Sequence, residues 1–511
     1  MGLLAQAADA PPIRTPAVEW SALAPILILG GGAILLLVVA ALAPRRSRVG
    51  WHAIVTIAIA GAAIASVVPL WQRVHDDGPF SVVAASVGVD GFSLFLTVVI
   101  CTSVVIASLL TDGYLRREDL EGAEPYVLML LSACGGLIMA SANDLIVMFL
   151  GLEVLSIAVY VLAGMHLRRA RSGEAAIKYF VLGAFSSAFF LYGVAMVYGA
   201  TGSTNMVKIA DFLARNALAD SGLLVAGFAL LLVGFGFKVA AVPFHSWTPD
   251  VYQGSPTPIV AYMASGVKAA GFAGLLRVFV VTFGDYRLDW QPIVYWVAVL
   301  TLLVGAVLAV VQTDVKRMMA YSSINHAGFI LVGVQAATNR GVSAALFYLA
   351  AYTFMVGGTF GVLTLVGRRG DGHHRLEDYA GLGKREPLLA LALVVFLLAQ
   401  AGTPLTSGFL AKFYVIDAAI ESRSFWLALV AMLSAVISAF LYLRIILAMY
   451  GSGDDDAPAS ASAVPRLRVP AAAAIALVVA VVATIGIGLV PDPLTRTARD
   501  ATPELTATPG D

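Results

Sequence analysis

The chain has 511 residues, of which 59% are hydrophobic and only 13% charged, whereas a soluble globular chain is about 25% charged. Thirty-two basic residues balance thirty-two acidic ones, so the formal charge is zero, and the mean hydropathy is +0.88. These values exclude an ordinary soluble protein and point to an all-α integral membrane protein with many spans.

The opening segment, residues 1–21, has no basic stretch ahead of its first apolar run and carries Asp9 and Glu19. It reads as an outer segment, not a targeting peptide. About fourteen spans of roughly 20 residues follow. They run near 22–43, 51–71, 90–111, 124–142, 144–164, 175–200, 221–252, 257–282, 290–312, 318–337, 341–367, 387–421, 425–450 and 468–490. The seventh and twelfth are too long for one straight helix, and each contains a proline, Pro243 or Pro404, which interrupts the helical hydrogen bonds. Discontinuous helices at membrane depth are a mark of transport proteins. With the N-terminus outside, about 17 basic residues fall on inner loops and about 9 on outer ones, as the positive-inside rule requires. The inner set includes Arg45, Arg46, Arg48, Arg168, Arg169, Lys316, Arg317 and Arg466; the outer set includes Arg14, Arg73, Arg215 and Arg340.

Two hydrophilic stretches break the apolar pattern. Gly367 to Glu386 reads as a solvated basic loop despite its adjacent His373 and His374, and Gly451 to Val464, with Asp454, Asp455 and Asp456, as a linker. Residues 491–511 form a C-terminal tail. Cys101 and Cys134 are too few for an iron–sulfur cluster and read as small core residues. There is no Walker A sequence and no glycine-rich phosphate loop after a strand. The abundant glycines read as points of close helix packing. No nucleotide, redox group, metal or nucleic acid is expected on this chain.

An internal repeat is faintly visible. Ala175-Ala176-Ile177-Lys178-Tyr179 matches Ala344-Ala345-Leu346-Phe347-Tyr348, and Asn143-Asp144 matches Thr313-Asp314 at nearly the same offset. That offset carries one broken span onto the other and Lys238 close to Lys412. A shift of about five helices reverses the topology, so the repeats, about 124–282 and 290–450, would be inverted.

Lys238, Lys268, Lys412 and Glu153 lie inside apolar runs. A charge near mid-bilayer costs roughly 2.5–3.5 kcal/mol on insertion scales, so such residues are rare and usually functional. Lys238 precedes Pro243, where the seventh span unwinds, and Glu153 is its natural partner. A static ion pair that fixes helix packing is the competing reading. Lys268 has small neighbours, Ala264-Ser265-Gly266, that leave room for a relay, and Lys412 follows the second break as an outer site. His245 and His326 could extend the path, because imidazole titrates near neutral pH; a structural role is as good a reading for each. Asp250 reads as a helix-turn terminator, and Lys178 with Tyr179 as an interfacial anchor.

The stretch from Lys238 to Pro258, centred on Pro243-Phe244-His245-Ser246-Trp247-Thr248-Pro249-Asp250, resembles the subunit N family of bacterial respiratory NADH–quinone oxidoreductase (complex I). Lys178-Tyr179-Phe180, Asp314-Val315-Lys316-Arg317-Met318-Met319-Ala320-Tyr321-Ser322-Ser323 and Tyr379-Ala380-Gly381-Leu382 are also similar. The resemblance runs from about Ser21 to Pro491. It implies an antiporter-like fold with about fourteen helices, two inverted five-helix repeats and a hydrated polar axis at mid-membrane. It places the family's functional glutamate on Glu153 and its lysines on Lys238, Lys268 and Lys412. It further implies a proton-translocating subunit with no cofactor of its own in a bacterial plasma membrane. NADH, FMN, iron–sulfur clusters and quinone would then belong to partner subunits, and the neighbours would be subunit M and the small membrane subunits.

Subunit M carries glutamate where Lys412 stands, and subunit L has a long lateral helix after its bundle, whereas only about twenty residues follow the last expected span here. Two other functions compete: a subunit of a multi-subunit Na+/H+ antiporter, and a scaffold without transport. Moving one proton against 100 mV needs about 2.3 kcal/mol. With no nucleotide or redox site to supply it, the chain must be driven from elsewhere.

Overall fold

Helix is the dominant state because a bilayer core offers backbone N–H and C=O groups no water, and a helix satisfies them within one segment. The computed structural model describes residues 18–42, 50–120, 122–216, 221–451 and 467–502. The Asp454–Asp456 linker and Arg14, Arg45, Arg46, Arg48 and Arg466 lie outside the described residues.

The helices run in the order α1 (Ala24–Leu42), α2 (Trp51–Asp77), α3 (Gly91–Glu118), α4 (Glu124–Ser141), α5 (Leu145–Ala163) and α6 (Ala170–Thr201). A short α7 (Met206–Arg215) precedes α8 (Gly222–Val239), α9 (Trp247–Gly254) and α10, which covers Thr257–Thr282. Then come α11 (Arg287–Val310), α12 (Val315–Ala336), α13 (Asn339–Val366), α14 (Pro387–Ala401), α15 (Ser407–Glu421), α16 (Phe425–Tyr450), α17 (Ala471–Leu489) and α18 (Asp492–Asp500). Among the described residues, twelve helices are long and apolar enough to cross a membrane.

Burial sorts them into layers. The apolar window of α10 is 100% enclosed and that of α13 is 94%, against 22% for α1 and 28% for α17. Polar side chains can therefore be carried on α10, α12 and α13 without meeting lipid. Glycine permits the closest approaches, as expected. A Cβ on Gly305 of α11 would stand 2.6 Å from the Asn325 backbone nitrogen of α12, so nothing larger fits.

Both long apolar runs are broken where proline stands. The first helix, α8, ends at Val239, and Ala240 caps it in the left-handed region at φ 63°. The backbone groups released by the break find partners: Val242 N–H donates to Thr301 Oγ1 at 2.9 Å, and Trp247 Nε1 donates to the Phe237 carbonyl at 3.0 Å. The second break separates α14 from α15, with Gly402 at φ 96° and Leu405 at φ 68° beside Pro404.

Local chemistry sets several starts. Asp90 caps α3 by accepting from Ser93 N–H at 2.9 Å, and Asp144 and Asp314 cap α5 and α12 in the same way. The all-α expectation has one small exception. Phe80–Val82 and Val87–Val89 pair antiparallel between α2 and α3, turned by Val83, Ala84 and Ala85, all at positive φ. The tail expected after residue 490 begins with a helix, α18.

Candidate functional site

Lys238, Lys268 and Lys412 are buried; the first two lie at irregularities in their own helices, and the third reaches the broken end of the helix before it. Lys238 lies in the last turn of α8, one residue before the helix ends. The unpaired carbonyls there make a helix C-terminus favourable for a cation. Its ammonium donates to Ser156 Oγ of α5 at 2.7 Å and stands 5.7 Å from the ring centres of both Tyr160 and Tyr179. Glu153 stands one turn before Ser156 on α5 and acts on Lys238 through space, while its Oε1 is buried without a hydrogen-bond partner. Among the described residues no direct ion pair joins Glu153 and Lys238; the ammonium's hydrogen bond goes to Ser156. A narrow gap lined by Ser156, Ser186, Ser187 and Lys238 lies beside it.

Lys268 sits between two π-helical stretches of α10, Met263–Val267 and Leu276–Thr282. Such bulges free carbonyls and re-aim side chains, and they recur at functional sites. Its ammonium donates to the Ser323 carbonyl at 2.5 Å and Ser323 Oγ at 2.6 Å. Lys412 of α15 donates at 2.9 Å to the carbonyl of Ala401, the last residue of α14. The lysine thereby satisfies a carbonyl exposed by the second helix break, and it lies 4.8 Å over the Phe329 ring.

His326 joins this row. Its Nδ1 is 2.6 Å from Tyr348 Oη and its Nε2 is 3.1 Å from Tyr442 Oη. Tyr442 Oη reaches Ser322 Oγ at 2.6 Å, Ser322 donates to Gln400 Oε1 at 3.5 Å, and Gln400 donates to Thr359 Oγ1 at 2.7 Å. His245 does not join it. That histidine is half-buried in the turn between α8 and α9, with its Nδ1 unpartnered.

Sequence reasoning missed the hydroxyl and amide groups, Ser156, Ser322, Ser323, Tyr348, Tyr442 and Gln400. Neutral polar residues cost little in a helix and give no signal singly. A signal exists in Tyr321-Ser322-Ser323-Ile324-Asn325-His326, a polar run that α12 buries completely apart from a sliver of Tyr321.

Other polar clusters correct simpler readings. His373 is exposed, but His374 and Asp371 are buried, so the basic loop is not wholly solvated. Asp371 accepts from Lys316 at 3.2 Å, Arg169 at 3.2 Å, Thr257 Oγ1 at 2.7 Å and the His374 ring at 2.8 Å. Burial pushes the Asp371 carboxyl up, but Lys316, His374 and Arg169 together outweigh it and hold it below the usual carboxylate range. Asp250 does more than end a turn, because it accepts from Lys178 at 2.8 Å and Arg317 at 2.6 Å. Tyr179 is no interfacial anchor; it is buried and stacks on Trp247 with ring centres 4.3 Å apart. Arg277, unmarked in the sequence reading, binds both oxygens of Asp90 at 2.8 and 2.9 Å in full burial. Among the described residues no group of three His, Cys, Asp or Glu side chains could hold a metal ion, and Cys101 and Cys134 are free.

Residues 142–438 match the family described as NADH:quinone oxidoreductase/Mrp antiporter, TM. The chain belongs to this family. Within it, the chain is 43% identical to NADH-quinone oxidoreductase subunit N of Trichlorobacter lovleyi, over 85% of this chain and 88% of that one. It is 44% identical to the subunit N of Rhodococcus opacus, over 88% and 90%. The fold matches a chain of respiratory complex I from Thermus thermophilus with TM-score 0.76 and 33% identity, covering 92% of this chain and 98% of that one. A chain of the Mrp complex from a Dietzia species matches with TM-score 0.82 at 22% identity over 95% and 97%, a likeness of fold. The resemblance carried by the Lys238–Pro258 stretch therefore extends over most of the chain. The apolar helices and bacterial relatives place this family member in a bacterial inner membrane as a multi-pass protein.

Proposed function

We propose that the chain is a proton-translocating membrane-arm subunit of an NADH–quinone oxidoreductase, driven by electron transfer in partner subunits. The observation that carries this reading is the set of three buried lysines, each hydrogen-bonded to a neighbouring helix or half-helix. Three cations placed so deep cost too much to be incidental. Glu153 and Lys238 form the inlet, Lys268 the relay and Lys412 the outer site, with His326 between the last two. His245 has no place in this path.

Fourteen spans follow if α12 and the pair α14 and α15 are counted with the twelve apolar helices. Two inverted repeats, about 124–282 and 290–450, are supported by matching starts. Asp144 and Asp314 both cap a helix, and each forms an isolated bridge to a distant strand-like residue, Asn205 or Arg375. The domain lies at 22–490, flanked by segments 1–21 and 491–511, and subunit M is the proposed neighbour.

The test is NADH-driven acidification of inverted membrane vesicles in sodium-free medium, with and without this chain. The reading predicts acidification that needs the chain and NADH but no sodium. Sodium-dependent proton movement without NADH would instead assign it to a secondary antiporter.

A further inference from the structure

His326 is buried, and each ring nitrogen faces one phenol hydroxyl: Tyr348 at Nδ1 and Tyr442 at Nε2. A carboxylate at either nitrogen would fix one tautomer, because it only accepts. A phenol hydroxyl both donates and accepts, so two arrangements satisfy the ring equally. In one, Nε2–H donates to Tyr442, Tyr442 donates to Ser322, and Tyr348 donates to Nδ1. In the other, Nδ1–H donates to Tyr348, Tyr442 donates to Nε2, and Ser322 turns its hydroxyl from Gln400 to donate to Tyr442. The 2.6 Å contact between Ser322 Oγ and Tyr442 Oη suits either direction.

Aromatic contacts link the ring to both lysines. Tyr352 packs against His326 with ring centres 4.7 Å apart and stands 5.7 Å from the Lys268 ammonium. Phe329 stacks on Tyr348 with ring centres 6.3 Å apart and carries the Lys412 ammonium at 4.8 Å.

We propose that Tyr348 and Tyr442 are positioning residues that hold His326 as a two-way tautomeric switch for protons passing between Lys268 and Lys412. This rests on the proton-translocating reading above. In one passage an ammonium of one lysine loses a proton and the amine of the other gains one. At the ring an N–H bond forms at one nitrogen as the N–H bond at the other breaks, so no charge stays on the imidazole. The Tyr442 and Ser322 hydroxyls turn over with it, and the wire must reset before the next proton follows.

The experiment uses the assembled complex in inverted membrane vesicles, with Tyr442→Phe, Tyr348→Phe and, as control, Lys268→Ala. NADH–ferricyanide activity reports assembly, and NADH-driven acidification is measured in H2O and in D2O. Each Phe variant keeps its ring packing but removes one hydroxyl. The expected result is acidification slowed about tenfold or more, up to the ~10²–10⁴ that a positioned proton-transfer group contributes. The solvent isotope effect should rise above the wild-type value, which a packing defect alone would not cause. Wild-type rate and isotope effect in both Phe variants, with Lys268→Ala inactive, would overturn the switch but leave the functional reading standing. Full activity in Lys268→Ala would overturn the functional reading itself. Should a Phe variant fail to assemble, Ser322→Ala decides: a slowed rate with a raised isotope effect supports the switch, and wild-type behaviour overturns it.

Discussion

At the scale of single residues, burial converts small polar groups into requirements. Ser156 Oγ is the hydrogen-bond acceptor of the Lys238 ammonium. Ser156→Ala leaves a buried donor unsatisfied, which costs about 1–3 kcal/mol or more for a charged group. Slower NADH-driven acidification at unchanged assembly is expected, and wild-type acidification would show that Lys238 does not depend on Ser156. Asp371 is the counter-charge for the buried Lys316 and the half-buried Arg169. Asp371→Asn should therefore destabilise the protein by about 3–5 kcal/mol, the cost of breaking a buried ion pair from one side. Thermal unfolding of the purified complex at pH 7 checks this, and an unchanged midpoint would contradict it. Because the folded state holds the Asp371 carboxyl below its unfolded value of about 3.9, its contribution is fully present above that pH. The contribution is lost as pH falls through the lower folded value, so wild type and variant should converge only in strong acid. The four charges in apolar runs were legible because charge in hydrocarbon is rare. Asp371 was not, since an acid in a hydrophilic loop reads as solvated until the fold buries it.

At the scale of elements, the helix breaks were legible from Pro243 and Pro404, whose rings cannot sit in an unbroken helix. The two π stretches around Lys268 were not, because no residue type forces a π turn. The hairpin at 80–89 and the short helix α18 were missed for a similar reason, since their few residues carry little periodicity. Packing between elements was visible only as a surplus of glycine. Gly305 lets α11 lie against Asn325 of α12, and Asn325 donates to the Leu302 carbonyl at 2.8 Å and Ser434 Oγ at 2.5 Å. Gly305→Val should push these helices apart at about 1–3 kcal/mol of overpacking and disturb α12, which carries Ser322, Ser323 and His326. The yield of assembled complex should fall, and a normal yield with normal acidification would show that α11 and α12 can separate without harm.

At the scale of the whole molecule, orientation was read from basic residues alone, and the fold offers sites to test it. His373 is exposed in the loop after α13, and Arg215 ends the short helix α7. Cys101 and Cys134 are buried, so new surface cysteines stand out against them. An impermeant thiol reagent should label His373→Cys in inverted vesicles and Arg215→Cys in right-side-out ones. The reverse pattern would invert the proton path proposed here.

The central claim is that Lys238, held at the first helix break beside Glu153, carries protons moved by redox chemistry elsewhere. The direct measurement compares wild type with Lys238→Ala for NADH-driven acidification of inverted vesicles at matched NADH–ferricyanide activity. The account predicts that acidification is lost while the complex remains assembled. Full acidification in the variant would mean that Lys238 is structural or that the chain works outside an NADH-driven pump.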